Sequence, residues 1–220
     1  MLCSNILVHN LPVVHLTDEV GHVMEWMDEY NVQHLPVEDD GKYVGLVSYN
    51  DLLNTDEDIT IAAMQVPFNT SSVLPGDHFL AALKLVLHAH ISVVAVVSSE
   101  KNLEGVITEK ELLYTAANFY GLNDGAGGMI TLEIDKRQFS FGELCRLVET
   151  NDAQILQLNT YEEKETGLFI VTIKLNRLDI SNVVATLQRY EYNIRYYFGE
   201  EMYENELKRN YEMLMNYLNI

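Results

Sequence analysis

Gly45-Leu46-Val47-Ser48-Tyr49-Asn50-Asp51-Leu52-Leu53 is the stretch whose reading decides the fold. The apolar run from Tyr43 to Val47 predicts a short strand, and it feeds a helix that begins near Ser48. Ser48 suits an N-cap. Asp51, three residues on, falls where a carboxylate is favoured beside the unpaired N–H groups of a first helical turn. A capping box accounts for one such stretch. The pattern returns, however, as Gly105-Val106-Ile107-Thr108-Glu109-Lys110-Glu111-Leu112-Leu113, shifted by 60 residues. Glycine, two apolar residues, a hydroxyl, two variable residues, an acid and Leu-Leu recur together, so the box belongs to a duplicated unit.

Working outward, the first copy opens with an extended segment, Leu11 to Val14. Thr17-Asp18 then start a predicted helix in which Val20, Val23, Met24, Met27 and Tyr30 recur at helical spacing. A strand from Val32 to Val37 follows, then the turn Glu38-Asp39-Asp40-Gly41, then the quoted stretch. The second copy keeps this order. Val73 matches Val14, Asp77 matches Asp18, Leu83 matches Met24 and Val96 matches Val37, all at a shift of 59. The turn Ser98 to Asn102 is one residue longer and raises the shift to 60, as expected of an insertion where turns tolerate one. Between the copies, Thr55 to Met64 reads as a short capped helix, and after Glu111 a helix runs from Leu112 to Tyr120 and stops at Gly121.

Two β-α-β-β-α units that each close on G-h-h-(S/T)-x-x-(D/N) resemble a tandem pair of CBS domains. The resemblance implies a flat disc with two clefts between the repeats, occupied by adenosine-containing ligands. It implies that the motif acid holds the ribose hydroxyls, while the motif hydroxyl and nearby helix N–H groups hold phosphate, chemistry that suits a carboxylate and a helix start. Carried over by position, Ser48 and Asp51 form one half-site, with Val13, Val14, Leu35 and Pro36 lining its adenine pocket. Thr108 and Glu111 form the other, with Ser72, Val73, Val94 and Ala95. Glu111 stands where the family has aspartate, and its extra methylene predicts a reduced second cleft.

Charge narrows the ligand. The chain has 220 residues and a net charge of −19. Residues 1–125 hold 18 acids against 4 lysines and no arginine, whereas residues 126–220 hold 15 acids against 10 basic residues. A triphosphate would enter a strongly negative field. The expectation is therefore adenosine, AMP or S-adenosylmethionine, with no required cofactor. Magnesium on the acidic surface, an amino-acid ligand, or a ligand-free oligomerisation scaffold are the alternatives. The same charge argues against nucleic acid.

The change in charge balance near residue 125 coincides with Asn123-Asp124-Gly125-Ala126-Gly127-Gly128, which reads as a linker. Beyond it, a strand (Ile130, Leu132, Ile134) leads to a helix (Phe141, Leu144, Cys145, Val148) and strands Ile155 to Tyr161 and Leu168 to Leu175. Helix Ser181 to Tyr190 and strand Ile194 to Phe198 complete βαββαβ, a ferredoxin-like order. That order, with Phe141-Gly142-Glu143-Leu144 entering the first helix, resembles an ACT domain, although Phe141 replaces the family's proline. Glu200 to Ile220 reads as a helix with Tyr203, Leu207, Tyr211, Leu214 and Leu218 on one stripe.

The expected architecture is thus α/β (α+β). It comprises a first CBS repeat over 1–66, a second over 67–122, a linker over 123–128, an ACT-like domain over 129–199 and a terminal helix over 200–220. The order CBS–CBS–ACT resembles the small proteins grouped with the acetoin-utilisation accessory protein. The resemblance to two self-associating domain types, with the apolar tail, implies a homodimer or higher homo-oligomer. No apolar run reaches the roughly 18–20 residues that span a bilayer, no signal peptide is evident, and Cys3 and Cys145 match no metal or redox spacing, so a reduced cytoplasmic setting is expected. His22, His78, His88 and His90 share no i, i+4 face, which argues against zinc. No Walker loop, nucleophile elbow or base-paired cysteine is present, and the chain reads as a non-catalytic sensor.

Overall fold

The computed structural model describes residues 1–122 and 127–199, in two compact units, Met1–Phe119 and Tyr120–Ile220. In the first unit, β1 (Val14–His15), α1 (Val20–Tyr30), β2 (His34–Asp39), β3 (Lys42–Ser48) and α2 (Tyr49–Leu52) make one repeat. β4 (Ser72–Val73), α3 (Phe79–Ala89), β5 (Val93–Val97), β6 (Leu103–Thr108) and α4 (Glu109–Phe119) make the other. Each repeat builds a three-stranded sheet, β1-β2-β3 or β4-β5-β6, with its first pair parallel and its second antiparallel. The register repeats too. Val37 faces Gly45 and Val96 faces Gly105, with a bulge just beyond each.

Those bulge-side glycines answer a problem of space. A Cβ on Gly45 would meet Phe68 Cβ at 2.6 Å and the Asn69 carbonyl at 3.0 Å, and one on Gly105 would meet the His9 ring at 3.3 Å. The crowding comes from an exchange of segments. Leu46 and Asn69 trade backbone hydrogen bonds of 2.8 and 3.1 Å, and Val8 and Val106 trade bonds of 2.7 and 3.3 Å. The chain leading into the second repeat therefore covers the edge of the first repeat's sheet, and the chain leading into the first covers the second. The cores interleave accordingly. Val93 and Val106 pack with Val14, Leu35 and Val47, while Tyr43 and Leu46 pack with Val94, Ala95 and Ile107.

Two local expectations fail for a shared reason. Helix α1 starts at Val20 rather than at Thr17-Asp18, and the Asp18 carboxylate instead accepts the His15 N–H at 2.7 Å. Thr55 to Met64 contains no α-helix, only a 3-10 turn at Ile61–Ala63. Carbonyls of this segment cap α1 from outside: Ile59 accepts the Val20 N–H (3.0 Å) and Glu57 the Gly21 N–H (3.0 Å). Ile61 and Ala62 donate back to Asp18 and Leu16. Backbone groups engaged across chain cannot also close helical turns. Met1 plays the Ile59 part in the second repeat, where its carbonyl accepts the Phe79 N–H at 3.1 Å.

The second unit contains β7 (Met129–Ile134), α5 (Phe141–Glu149), β8 (Ile155–Glu162), β9 (Phe169–Leu175), α6 (Ser181–Arg189) and β10 (Asn193–Phe198). Its antiparallel sheet runs β10-β7-β9-β8, the ferredoxin-like order expected. Ile130, Leu132 and Ile134 bury with Leu144, Leu147 and Val148 of α5 and Val183, Val184 and Leu187 of α6, a strand period of two meeting helical stripes. Arg195 spans the sheet by pairing with Glu133 (2.7 Å) and Glu163 (2.8 Å). Linker residues 123–126 and the stripe Tyr203, Leu207, Tyr211, Leu214 and Leu218 lie outside the described residues.

Candidate functional site

Both repeated motifs fold as capping boxes. Ser48 Oγ accepts the Asp51 N–H (3.2 Å) and donates its own proton to Asp51 Oδ2 (2.6 Å), and the Ser48 N–H reaches the same oxygen at 3.3 Å. In the second copy Thr108 Oγ1 accepts the Glu111 N–H at 3.4 Å and donates to Glu111 Oε2. The longer side chain of Glu111 thus bends back onto its own cap instead of projecting into space. The helices behind the boxes differ, since α2 has four residues and α4 has eleven. The longer helix carries the fuller macrodipole to its start. Within each box the first helical N–H bonds outside its own helix: Tyr49 donates to the Gln33 carbonyl (2.9 Å) and Glu109 to the Ser92 carbonyl (3.2 Å).

A cleft of about 490 Å³ opens at the start of α4. Thr108, Glu109, Lys110 and Glu111 form one wall. Asn10 and Leu11 form a second, and Tyr30, Asn31 and Val32, where α1 ends, a third. Ser92 lies at its edge. Its volume falls in the range of small-molecule sites. Lys110 faces two acids in the same lining, so the wall is balanced toward negative charge. A second cavity, about 270 Å³, shares Val8 and Leu11 with the first. Val13 and Pro36 line it together with Gly105 and Val106.

The residues expected at the two clefts are distributed unevenly. Thr108 and Glu111 line the larger cleft, the one that the extra methylene of glutamate was expected to reduce. Val13 and Pro36 line the smaller cavity. Val14, Leu35, Val94 and Ala95 are fully buried in the interleaved cores, and Val73 is 6% exposed. Val14 and Leu35 pack in one core and Val73, Val94 and Ala95 in the other, so the reading of these five as pocket lining is corrected to core. Ser72 is exposed at the start of β4. Ser48 and Asp51 are half-buried.

The sequence reading passed over three features of the site. Segment Val8–Leu11 is one wall of both cavities. Asn31 and His90, 59 residues apart, both end their helices with left-handed backbone, φ of 51° and 53°, and this equivalence was visible in the shift. His34 meets Ser92 where the repeats touch: Nδ1 lies 3.2 Å from Ser92 Oγ and accepts the Ser92 N–H at 3.2 Å. Burial holds the His34 imidazole below its ordinary pKa, with the Asp51 carboxylate pulling the other way. Among the described residues no cluster of three His, Cys, Asp or Glu side chains could hold a metal ion, and no helix is long and apolar enough to cross a membrane.

The CBS domain family model matches residues 3–58 and 66–118. A solved CBS domain pair/ACT domain protein from Thermotoga maritima is 24% identical, over 54% of this chain and 98% of that one, with a TM-score of 0.50. The CBS domains of a transcriptional regulator from Streptococcus pneumoniae are 18% identical, over 52% of this chain and 98% of that one, at 0.48. A CBSX-type protein in complex with AMP is 24% identical, over 54% and 98%, at 0.47. The first likeness shows the fold, and the other two add no argument to it.

Proposed function

Because residues 3–58 and 66–118 are a tandem pair of CBS domains, we propose that the chain is a non-catalytic sensor whose first unit binds an adenosine-containing ligand and signals through conformation or assembly. The observation that carries this reading is the cleft of about 490 Å³ beside the Thr108–Glu111 box. In this reading Glu111, with Oε2 held by the Thr108 hydroxyl, turns its other oxygen to the ribose hydroxyls, Lys110 and the α4 start meet one phosphate, and Leu11 with Val32 cover an apolar base. Asp51 with Ser48 is the equivalent half-site of the first repeat. Adenosine, AMP and S-adenosylmethionine fit the charge better than ATP.

The ferredoxin-like order of the second unit and Phe141-Gly142-Glu143-Leu144 at the start of α5 support an ACT-type module, and the domain order supports grouping with the acetoin-utilisation accessory proteins. Two free cysteines, one buried, are consistent with a reduced cytoplasmic setting. Assembly is proposed as a homodimer through α3 and α4, where Leu80, Leu87, Leu113 and Tyr114 are 44–73% exposed. No acid occurs between Asp77 and Glu100, so α3 brings no carboxylate to this face, and the acids of α4, Glu109 and Glu111, are confined to its first turn, which favours the approach of two copies of a −19 chain here.

Calorimetry with adenosine, AMP, S-adenosylmethionine and ATP, each with and without magnesium, tests the ligand. Binding of one of the first three that Glu111→Ala weakens supports the reading. An absence of heat and of thermal stabilisation with all four overturns it.

A further inference from the structure

The two boxes are joined by a short hydrogen-bonded bridge. Gln33 offers its carbonyl to the Tyr49 N–H, at the start of the first box, and its own N–H to Ser92 Oγ at 3.1 Å. Ser92 offers its carbonyl to the Glu109 N–H, at the start of the second box, and lines the larger cleft. His34, next in the chain to Gln33, accepts the Ser92 N–H on Nδ1, which places the neutral ring's proton on Nε2. His34 lies opposite Ser48 in the β2–β3 register, and Ser48 is the residue on which the Asp51 carboxylate closes, so Asp51 is the charged group that acts on that ring.

Symmetry does not ask for this contact. The shift of 59 carries Gln33 to Ser92 and His34 to Val93, and Val93 is fully buried with no polar atom to share. A second valine would serve the fold at position 34. The histidine instead puts a group with two hydrogen-bonding arrangements on the line between the acid of one box and the first N–H of the other. As an acceptor at Nδ1 it holds Ser92 in place, and as a donor there it must release the Ser92 N–H. Anything that alters the field of Asp51 alters the balance between those arrangements.

We propose that His34 and Ser92 couple the two half-sites, so that engagement of Asp51 repositions Glu109 and changes the affinity of the cleft beside Thr108 and Glu111. The significance of the coupling for affinity rests on the ligand reading above; the coupling itself does not. Ser92 is a positioning residue in this scheme, acting through Glu109.

Backbone amide NMR of the full chain tests it without ligand. Asp51→Asn should move the Glu109 N–H resonance by several linewidths, while the His34→Val background, which removes the ring that accepts the Ser92 N–H, should abolish that response and leave the response at Tyr49 intact. A Glu109 resonance that ignores Asp51→Asn, or that answers equally in the His34→Val background, overturns the coupling. AMP is then titrated into the same samples. If AMP binds nowhere while the His34-dependent response persists, the coupling stands and the ligand reading fails. If AMP binds both half-sites and Glu109 never responds to Asp51, the ligand reading stands and the coupling fails.

Discussion

Asp51 closes on Ser48, with Oδ2 2.6 Å from Oγ, and Glu111 closes on Thr108 in the same sense. The acids proposed to hold ribose are thus also structural caps, and substitutions there act on stability and on binding together. Ser48→Ala removes the cap from the four-residue α2 and should cost about 1 kcal/mol of stability in urea unfolding. Glu111→Ala should weaken AMP by about 1.5–3 kcal/mol, the range for a hydrogen bond to a charged group. Calorimetry on the folded variant separates the two effects, and an unchanged AMP affinity would remove Glu111 from the site.

Phosphate number should count against binding. Without magnesium, affinity should fall from AMP to ATP, because Glu109 and Glu111 share the cleft wall with a single lysine. Magnesium should narrow the gap by neutralising the added phosphates. Tighter binding of metal-free ATP than of AMP would show that the local potential is positive.

His34 gives stability a pH dependence with a defined sign. Burial lowers its folded-state pKa beneath the ordinary 6.5, so in the window between the two values the unfolded chain binds the proton that the native ring refuses. The contribution is complete above pH 6.5 and is lost as pH falls toward the folded value. Urea midpoints at pH 7.5 and 5.5 should therefore differ more for the unmodified chain than for His34→Gln, since the carboxylates are common to both. Equal differences would mean that His34 titrates normally.

Gly45 should resist the smallest substitution. A methyl group there meets Phe68 and Asn69 within 3.0 Å, so Gly45→Ala must displace the exchanged segment and should cost about 1–3 kcal/mol. Gly142→Ala, with nothing within 4 Å and a helical position in α5, should not lower stability and should raise it by up to about 1 kcal/mol. Thermal unfolding of the two variants side by side reads the difference.

Dimerisation through α3 and α4 predicts that Leu87→Asp with Leu113→Asp yields a monomer of 25.1 kDa by light scattering, with the circular dichroism of the folded chain retained. A monomeric mass for the unmodified chain at tens of micromolar would refute it.

Much of the fold was legible along the chain. A duplicated glycine–hydroxyl–acid stretch announces two equivalent strand-to-helix junctions because each cap is made within four residues. Alternation at Ile130, Leu132 and Ile134 and helical spacing at Val183, Val184 and Leu187 identify faces that neighbouring elements bury.

What the chain could not display was which partner each face or backbone group would find. Thr55 to Met64 has the composition of a helix, but its carbonyls cap α1 and its N–H groups return to Leu16 and Asp18. Val14, Leu35, Val94 and Ala95 fall where a pocket was expected, yet exchange of segments between the repeats buries them in shared cores. Ser92 and His34, 58 residues apart, meet only because β2 and β5 come together between the repeats. Local periodicity and capping are set by interactions spanning a few residues, and these the sequence determined by itself. Burial, cleft walls and the bridge between the boxes depend on backbone hydrogen bonds and packing between segments some 60 residues apart, which only the tertiary structure decided.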